Sequence, residues 1–170
     1  MLKPSQLWEG LVKVLIIYDS VFGNTEKVAR TIGKVLKTLG EVQVARVSEV
    51  QPAQLAGLKL LIVGSPTRGF RPTVPITSFL AMLPKGSLKD VKVAVFDTRV
   101  ELKDIPFFFR GVIKRGGYAD KPITEMLQEK GGELAAPSVG FFVKWKEGSL
   151  KAGELERAAA WAHSLLLVAG

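Results

Sequence analysis

The 170-residue chain contains no cysteine and a single histidine, His163. Without cysteine there is no disulfide, no thiolate metal site, no cysteine nucleophile and no redox thiol. One histidine leaves a zinc site without its usual ligands. The lack of cysteine fits a reducing cytoplasm. Long apolar runs are missing as well. The N-terminal "MLKPSQLWEGLVKVLIIY" has no uninterrupted apolar region ending in a small-residue cleavage site, and "AAAWAHSLLLVAG" near the C-terminus is too short to span a bilayer. The expectation is a soluble, cytoplasmic protein. Acidic residues are the scarcer charge, 16 against 24 Lys and Arg, which gives a formal net charge of +8. Such a surface favours anionic partners (an acidic protein, a nucleic acid or a lipid headgroup) or serves solubility alone, and charge by itself does not choose.

What is present is enough for one domain with a buried core, residues 1–170. Strand-like and helix-like patterns alternate along it. "VKVLIIY" (Val12 to Tyr18), "LKLLIVG" (Leu58 to Gly64) and "VKVAVFD" (Val91 to Asp97) are near-continuous aliphatic runs of the kind buried on both faces of a sheet. "EVQVARV" (Glu41 to Val47) alternates like a strand, and "ELAAPSVGFFVKW" (Glu133 to Trp145) reads as a last, interrupted one. Between them lie helical patterns. From Thr25, Val28, Ile32, Val35, Leu36 and Leu39 share a face and Gly40 closes it. Pro75 to Leu83 carries Pro in its first turn, and Lys121 to Gly132 ends on a glycine stop. Gly153 to Leu167 places Leu155, Ala158, Ala159, Ala162, Leu165 and Leu166 inward. This alternation predicts an α/β fold with a doubly wound, five-stranded parallel sheet covered by helices on both faces. Two segments, Ser65 to Thr73 and Thr98 to Ala119, fit no element. Both follow buried strands and so sit at the carboxyl edge of the sheet, where such folds bind ligands.

A third such segment is the turn after the first strand, "DSVFGNTE". Ser20 and Thr25 offer hydroxyls, Asn24 an amide, and Gly23 a close backbone turn into a helix whose free N–H groups attract an anion. There is no Lys or Arg from Asp19 to Glu26, so a phosphate here would be held by neutral donors and backbone amides. Neither a Walker loop nor a G-x-G-x-x-G fingerprint is present. The plainer reading is a helix N-cap at Asn24 or Thr25.

"IIYDSVFGNTEKVARTI" and "VGSPTRGFRPTVPITSFL" together resemble the phosphate-binding and second-loop signatures of the flavodoxins, and the C-terminal pattern through "WA" is similar to that family's last strand and helix. The resemblance implies a flavodoxin-like fold and FMN as cofactor. By it, Ser20, Gly23, Asn24 and Thr25, with the amides of Val21 and Phe22, would cradle the phosphate. Ser65, Pro66, Thr67, Arg68, Gly69 and Phe70 would line one side of the ring, and Asp97, Thr98 and Arg99 another.

Three departures from the family pattern stand out. Phe22 replaces a usual threonine, a lost hydrogen bond that weakens binding about fivefold to tenfold; Phe22 reads as a packing residue. Neither binding loop offers a stacking Trp, leaving Phe70 in the second loop, and Phe107, Phe108, Phe109 or Tyr118 in the third. The segment Thr98 to Ala119 is long, with three consecutive phenylalanines among Arg99, Lys103, Arg110, Lys114 and Arg115. It reads as a lid, a docking or dimer surface, a contact for an anionic membrane, or a short helix, Ile105 to Ile113, whose aromatic face fills the core. His163 reads as a surface residue; Trp8, Trp145 and Trp161 read as packing.

The resemblance implies an electron carrier with no acid–base chemistry of its own. The basic charge, with Arg68, Arg71 and Arg99 near the ring, implies a less negative potential for the second electron and an acidic redox partner protein. The resemblance implies no nucleic acid and no integral membrane role, and leaves a homodimer open. The alternatives are a flavin-dependent NAD(P)H or quinone-type reductase, and a module that has lost FMN and binds a partner through the long loop. A receiver domain lacks its acidic cluster, and a low-molecular-weight phosphatase its cysteine.

Overall fold

The computed structural model describes residues 12–145 and 147–169; Trp8, read above as a packing residue, lies outside them. The order is β1 (Val12–Tyr18), α1 (Asn24–Leu36), β2 (Gly40–Arg46), β3 (Leu60–Pro66), α2 (Val74–Met82), β4 (Lys92–Val100), α3 (Phe107–Gly116), α4 (Asp120–Glu129), β5 (Glu133–Leu134), β6 (Val139–Val143) and α5 (Glu154–Ala169). Every strand pair is parallel, in the order β2-β1-β3-β4-β5. The interrupted last strand occupies one position as two pieces. β5 pairs with the start of β4 (Val93 with Leu134), and β6 with its end (Thr98 with Phe141).

Alternation within the buried strands sends successive side chains to opposite faces. Leu15, Ile17, Leu61, Val63, Val93 and Val95 pack under α2 and α4, against Ile76, Leu80, Ile123 and Leu127. Val14, Ile16, Leu60, Ile62 and Phe96 face α1 and α5, against Val28, Ile32, Ala158 and Leu165. The half-buried Trp161 closes that second face, edge-on to Phe96 at 6.3 Å and Phe141 at 6.4 Å, so its reading as a packing residue stands. His163 is exposed on α5. Each large side chain buried in these faces contributes roughly 1.5–3 kcal/mol.

Several expectations are corrected here. Leu155 is exposed rather than inward. Glu154 takes the inner position instead, because its carboxylate accepts the Phe142 N–H at 2.7 Å and pairs with Arg157. The helix in the long segment exists, as α3, but its aromatic side chains do not fill the core. Phe107 and Phe108 are 80% and 64% exposed, and of the helix only Ile113 is buried. Thr98 to Val100 belong to β4 rather than to a loop. Among the described residues no helix is long and apolar enough to cross a membrane, and no cluster of His, Cys, Asp or Glu could hold a metal ion.

Candidate functional site

The carboxyl ends of β1, β3, β4 and β6 open around a cavity of about 430 Å³. The turn after β1 supplies Val21, Phe22, Asn24 and Thr25. The turn after β3 supplies Pro66, Thr67, Arg68, Gly69 and Phe70. The end of β4 supplies Thr98, Arg99 and Val100. None of the lining residues is acidic. Of the residues singled out from the sequence, Ser20, Gly23, Ser65 and Asp97 stand behind this lining and do not form it.

The β1 turn is shaped by Gly23, whose φ of 88° lies in the left-handed region that a side chain disfavours. Gly23 is therefore the helix cap, and the expected capping by Asn24 or Thr25 is corrected: both lie inside α1, and no side chain caps it. The first amides of α1 are left without a side-chain cap. Ser20 Oγ accepts the Gly23 N–H at 3.0 Å and closes the turn on itself. Asn24 donates to the Gly148 carbonyl at 2.7 Å. Thr25 and Thr98 share a buried hydroxyl–hydroxyl bond of 2.8 Å. Two hydroxyls sharing one bond keep one proton in reserve, available to a ligand oxygen. Phe22 is not a packing residue: it is 45% exposed, with the Arg68 guanidinium 5.2 Å from its ring centre.

The β3 turn is a two-residue hairpin in which Arg68 and Arg71 exchange backbone hydrogen bonds at 2.8 and 3.0 Å. Gly69 and Phe70, its central pair, both have positive φ, 52° and 67°, as such hairpins require. A bulky residue disfavours that region, so the turn holds Phe70 at the cavity against a local cost. Arg71 does not line the cavity, which removes it from the three arginines expected near the ring. Ser65 is buried and structural: its Oγ accepts the Thr73 N–H at 3.0 Å.

Beneath the lining lies a polar floor. Asp97 is fully buried and grips Arg99 with both oxygens, at 2.6 Å to Nε and 2.7 Å to Nη2. Asp97 Oδ2 also accepts the Asp120 N–H at 3.1 Å and the Thr67 hydroxyl at 3.3 Å. Arg99 Nη2 lies 3.2 Å from Asp120, whose other oxygen accepts the Ser138 hydroxyl at 2.6 Å. Gly140 makes room for this arrangement, since a Cβ there would overlap the Arg99 guanidinium. Burial pushes the Asp97 carboxyl up to about 6, against the pull of Arg99's hydrogen bonds and charge and with a further push from Asp120. Burial works against the Arg99 charge, but the two carboxylates outweigh it and hold its pKa above the ordinary value. Arg99 therefore reaches the cavity, as expected, but with its charge compensated by Asp97 and Asp120.

Three further segments complete the lining, and of their residues Ile105, Pro106 and Trp145 are not among the site candidates read from the sequence. Ile105, Pro106 and Phe109 reach in from the start of α3, Tyr118 from the turn before α4, and Trp145 from the end of β6. Tyr118 lies flat under Arg99, 3.9 Å from ring centre to guanidinium, and its hydroxyl donates to the Val100 carbonyl at 3.3 Å. Of the four aromatic candidates in the long segment, Phe109 and Tyr118 line the cavity, while Phe107 and Phe108 do not. Trp145, read as structural, is half exposed and lines the cavity. Its place at the carboxyl end of the last strand was the available signal.

A sequence profile described as Flavodoxin matches residues 16–161. Among solved structures, the chain is similar to oxidised Flavodoxin 2 from Bacillus cereus, at 23% identity over 92% of this chain and 99% of that one, with a TM-score of 0.71. It is similar to a flavodoxin from the domain Archaea, at 20% identity over 93% and 99%, with a TM-score of 0.70. It also matches 38% of the rubredoxin oxygen:oxidoreductase from Desulfovibrio gigas, at 19% identity over 96% of this chain, with a TM-score of 0.72. At these identities the structural likenesses establish the fold.

Proposed function

The chain belongs to the flavodoxin family of FMN-binding electron-transfer flavoproteins, and on that premise we propose that its cavity seats FMN with the phosphate in the Ser20–Thr25 turn. The observation that carries this placement is the start of α1, turned by the left-handed Gly23 and without a side-chain cap, beside a cavity whose lining holds no carboxylate. A dianionic phosphate suits that environment: amides and the helix dipole attract it, no carboxylate lines the cavity, and the nearby Asp19 and Glu26 are paired with Arg46 and Arg30. The spare proton of the Thr25–Thr98 pair adds one donor. The residues present fit the group.

When bound, FMN supplies one- and two-electron transfer. The chain does the rest. Phe70, Tyr118, Phe109 and Trp145 give the flat ring apolar walls, which exclude water from it. Arg99, fixed by Asp97 and Asp120, offers directed N–H groups with no net positive field. Arg68, exposed at the mouth, contributes positive potential toward whatever approaches. With the formal charge of +8, this motivates an acidic redox partner protein. An association rate indifferent to salt would rule out that partner chemistry. The compartment of this reading is the cytoplasm, where a chain without cysteine loses nothing to reduction.

The test of the placement is a visible absorption and fluorescence titration with FMN. Uptake with quenched flavin fluorescence, weakened about tenfold in Thr25→Val by loss of roughly one hydrogen bond, is the expected outcome. Uptake that Thr25→Val leaves unchanged would move the phosphate elsewhere.

A further inference from the structure

The helix α3 buries only Ile113 against the rest of the molecule. We propose that it docks the protein onto an anionic lipid surface, with Phe107 and Phe108 entering the interface and Lys114 and Arg115 meeting the headgroups. This goes beyond flavin binding and does not depend on it.

Four observations carry the assignment. First, Phe107, Phe108 and Val112 are 80%, 64% and 51% exposed, while Ile113 is the one buried residue of the helix. Second, the rings form one body: Phe107 and Phe108 are 5.6 Å apart edge-on, and Phe108 and Phe109 are 4.6 Å apart. Phe107 and Phe108, the most exposed of them, stand at the start of α3, so the apolar surface is the blunt end of the helix. Third, residues 105–119 contain no Asp or Glu but include Arg110, Lys114 and Arg115. Lys114 and Arg115 are exposed in the last turn, as is Lys121 just beyond. Aromatics flanked by cations are the composition of interfacial helices, and anionic headgroups are the complementary charge. Fourth, the end is held in shape. Arg110 donates to the carbonyls of Ile105 and Lys103, both at 2.9 Å, and ties down the bend at Pro106.

At ten residues α3 is about 15 Å long, half a bilayer core, so it lies at the surface and does not span. Phe109 leaves the same helix for the cavity, so the docked surface adjoins the cavity mouth.

The experiment is co-sedimentation of the full chain with vesicles of equal parts phosphatidylglycerol and phosphatidylcholine, and with phosphatidylcholine alone. Binding to the mixed vesicles only is expected. Phe107→Ser with Phe108→Ser should lower the partition coefficient at least about tenfold. Lys114→Glu with Arg115→Glu should do the same. Lys85→Glu with Lys89→Glu, an equal charge change in the turn before β4, should leave most of the binding. Unchanged circular dichroism verifies that each variant is folded. Three results would overturn the proposal: no binding to mixed vesicles, equal loss from both charge reversals, or full binding by the phenylalanine double variant. If vesicles are ignored but sedimentation velocity shows a dimer broken by the phenylalanine changes, the surface belongs to a second copy. If only an acidic protein column retains the chain through Phe107 and Phe108, it belongs to a protein.

Discussion

The floor and the rim of the cavity are built on opposite principles. The floor is polar and shielded: around the fully buried Asp97, the half-buried Arg99, Asp120, Thr67 and Ser138 join in one hydrogen-bonded network. The rim is exposed and aromatic: Phe22 and Trp145 stand half in solvent on short turns. In the floor, removing one group strands another, because a buried charge or donor without its partner is costly. In the rim, each ring stands nearly alone, so a change is felt by the ligand and hardly by the fold. The difference separates what holds the site in place from what selects its visitors.

The strongest way to break that contrast is Asp97→Ala. It takes the main partner from Arg99, and the urea midpoint should fall by the equivalent of about 3 kcal/mol, the low end for a broken buried pair, because Asp120 remains. A loss below about 0.5 kcal/mol, typical of a surface site, would show the floor to be no more interdependent than the rim.

Acid titration sharpens the contrast next. The folded pKa of Asp97 is raised from 3.8 to about 6. In that window the native state keeps a proton the unfolded chain has released. Asp97 therefore stabilises most below pH 4, and that stability is lost as pH rises toward 6. Relative to Asp97→Asn, the wild type should lose on the order of 2–3 kcal/mol across the window and nothing more above it. Glu154 behaves in the opposite sense: despite partial burial, Arg157 and the Phe142 N–H hold it below its ordinary value. The subtraction against Asp97→Asn removes its effect. Parallel stability curves for the two proteins would refute the raised pKa.

The smallest effect should come from the rim. Phe22→Thr should leave the unfolding midpoint within about 0.5 kcal/mol and, by restoring a hydroxyl beside the phosphate turn, tighten FMN about fivefold. A titration with FMN reads the second half, and weaker uptake would mean the ring itself contacts the ligand.

The sheet was legible from the sequence because buried parallel strands write themselves as unbroken aliphatic runs, and helices as a 3.6-residue period. The turns after β1, β3 and β4 were legible because each follows such a run. The helix of α3 was legible but its exposure was not, since three phenylalanines in a row look the same whether they face a core or solvent. Periodicity says that a face is apolar, and only tertiary contact says what covers it. Trp145 was missed because its value lies in where β6 ends relative to turns more than forty residues away. Asp97 sat one step from the cavity: it follows Phe96 on a strand whose side chains alternate, and Arg99, two residues on, shares its side and covers it.

That spacing of two has a consequence for how the chain assembles. An ion pair within one strand needs no loop closure, whereas every strand pairing here joins distant segments. Asp97 and Arg99 can meet as soon as β4 is extended, before any neighbour arrives. The most awkward charge in the core thus enters it already neutralised, and only Asp120, arriving with α4, must find its partner across the sequence.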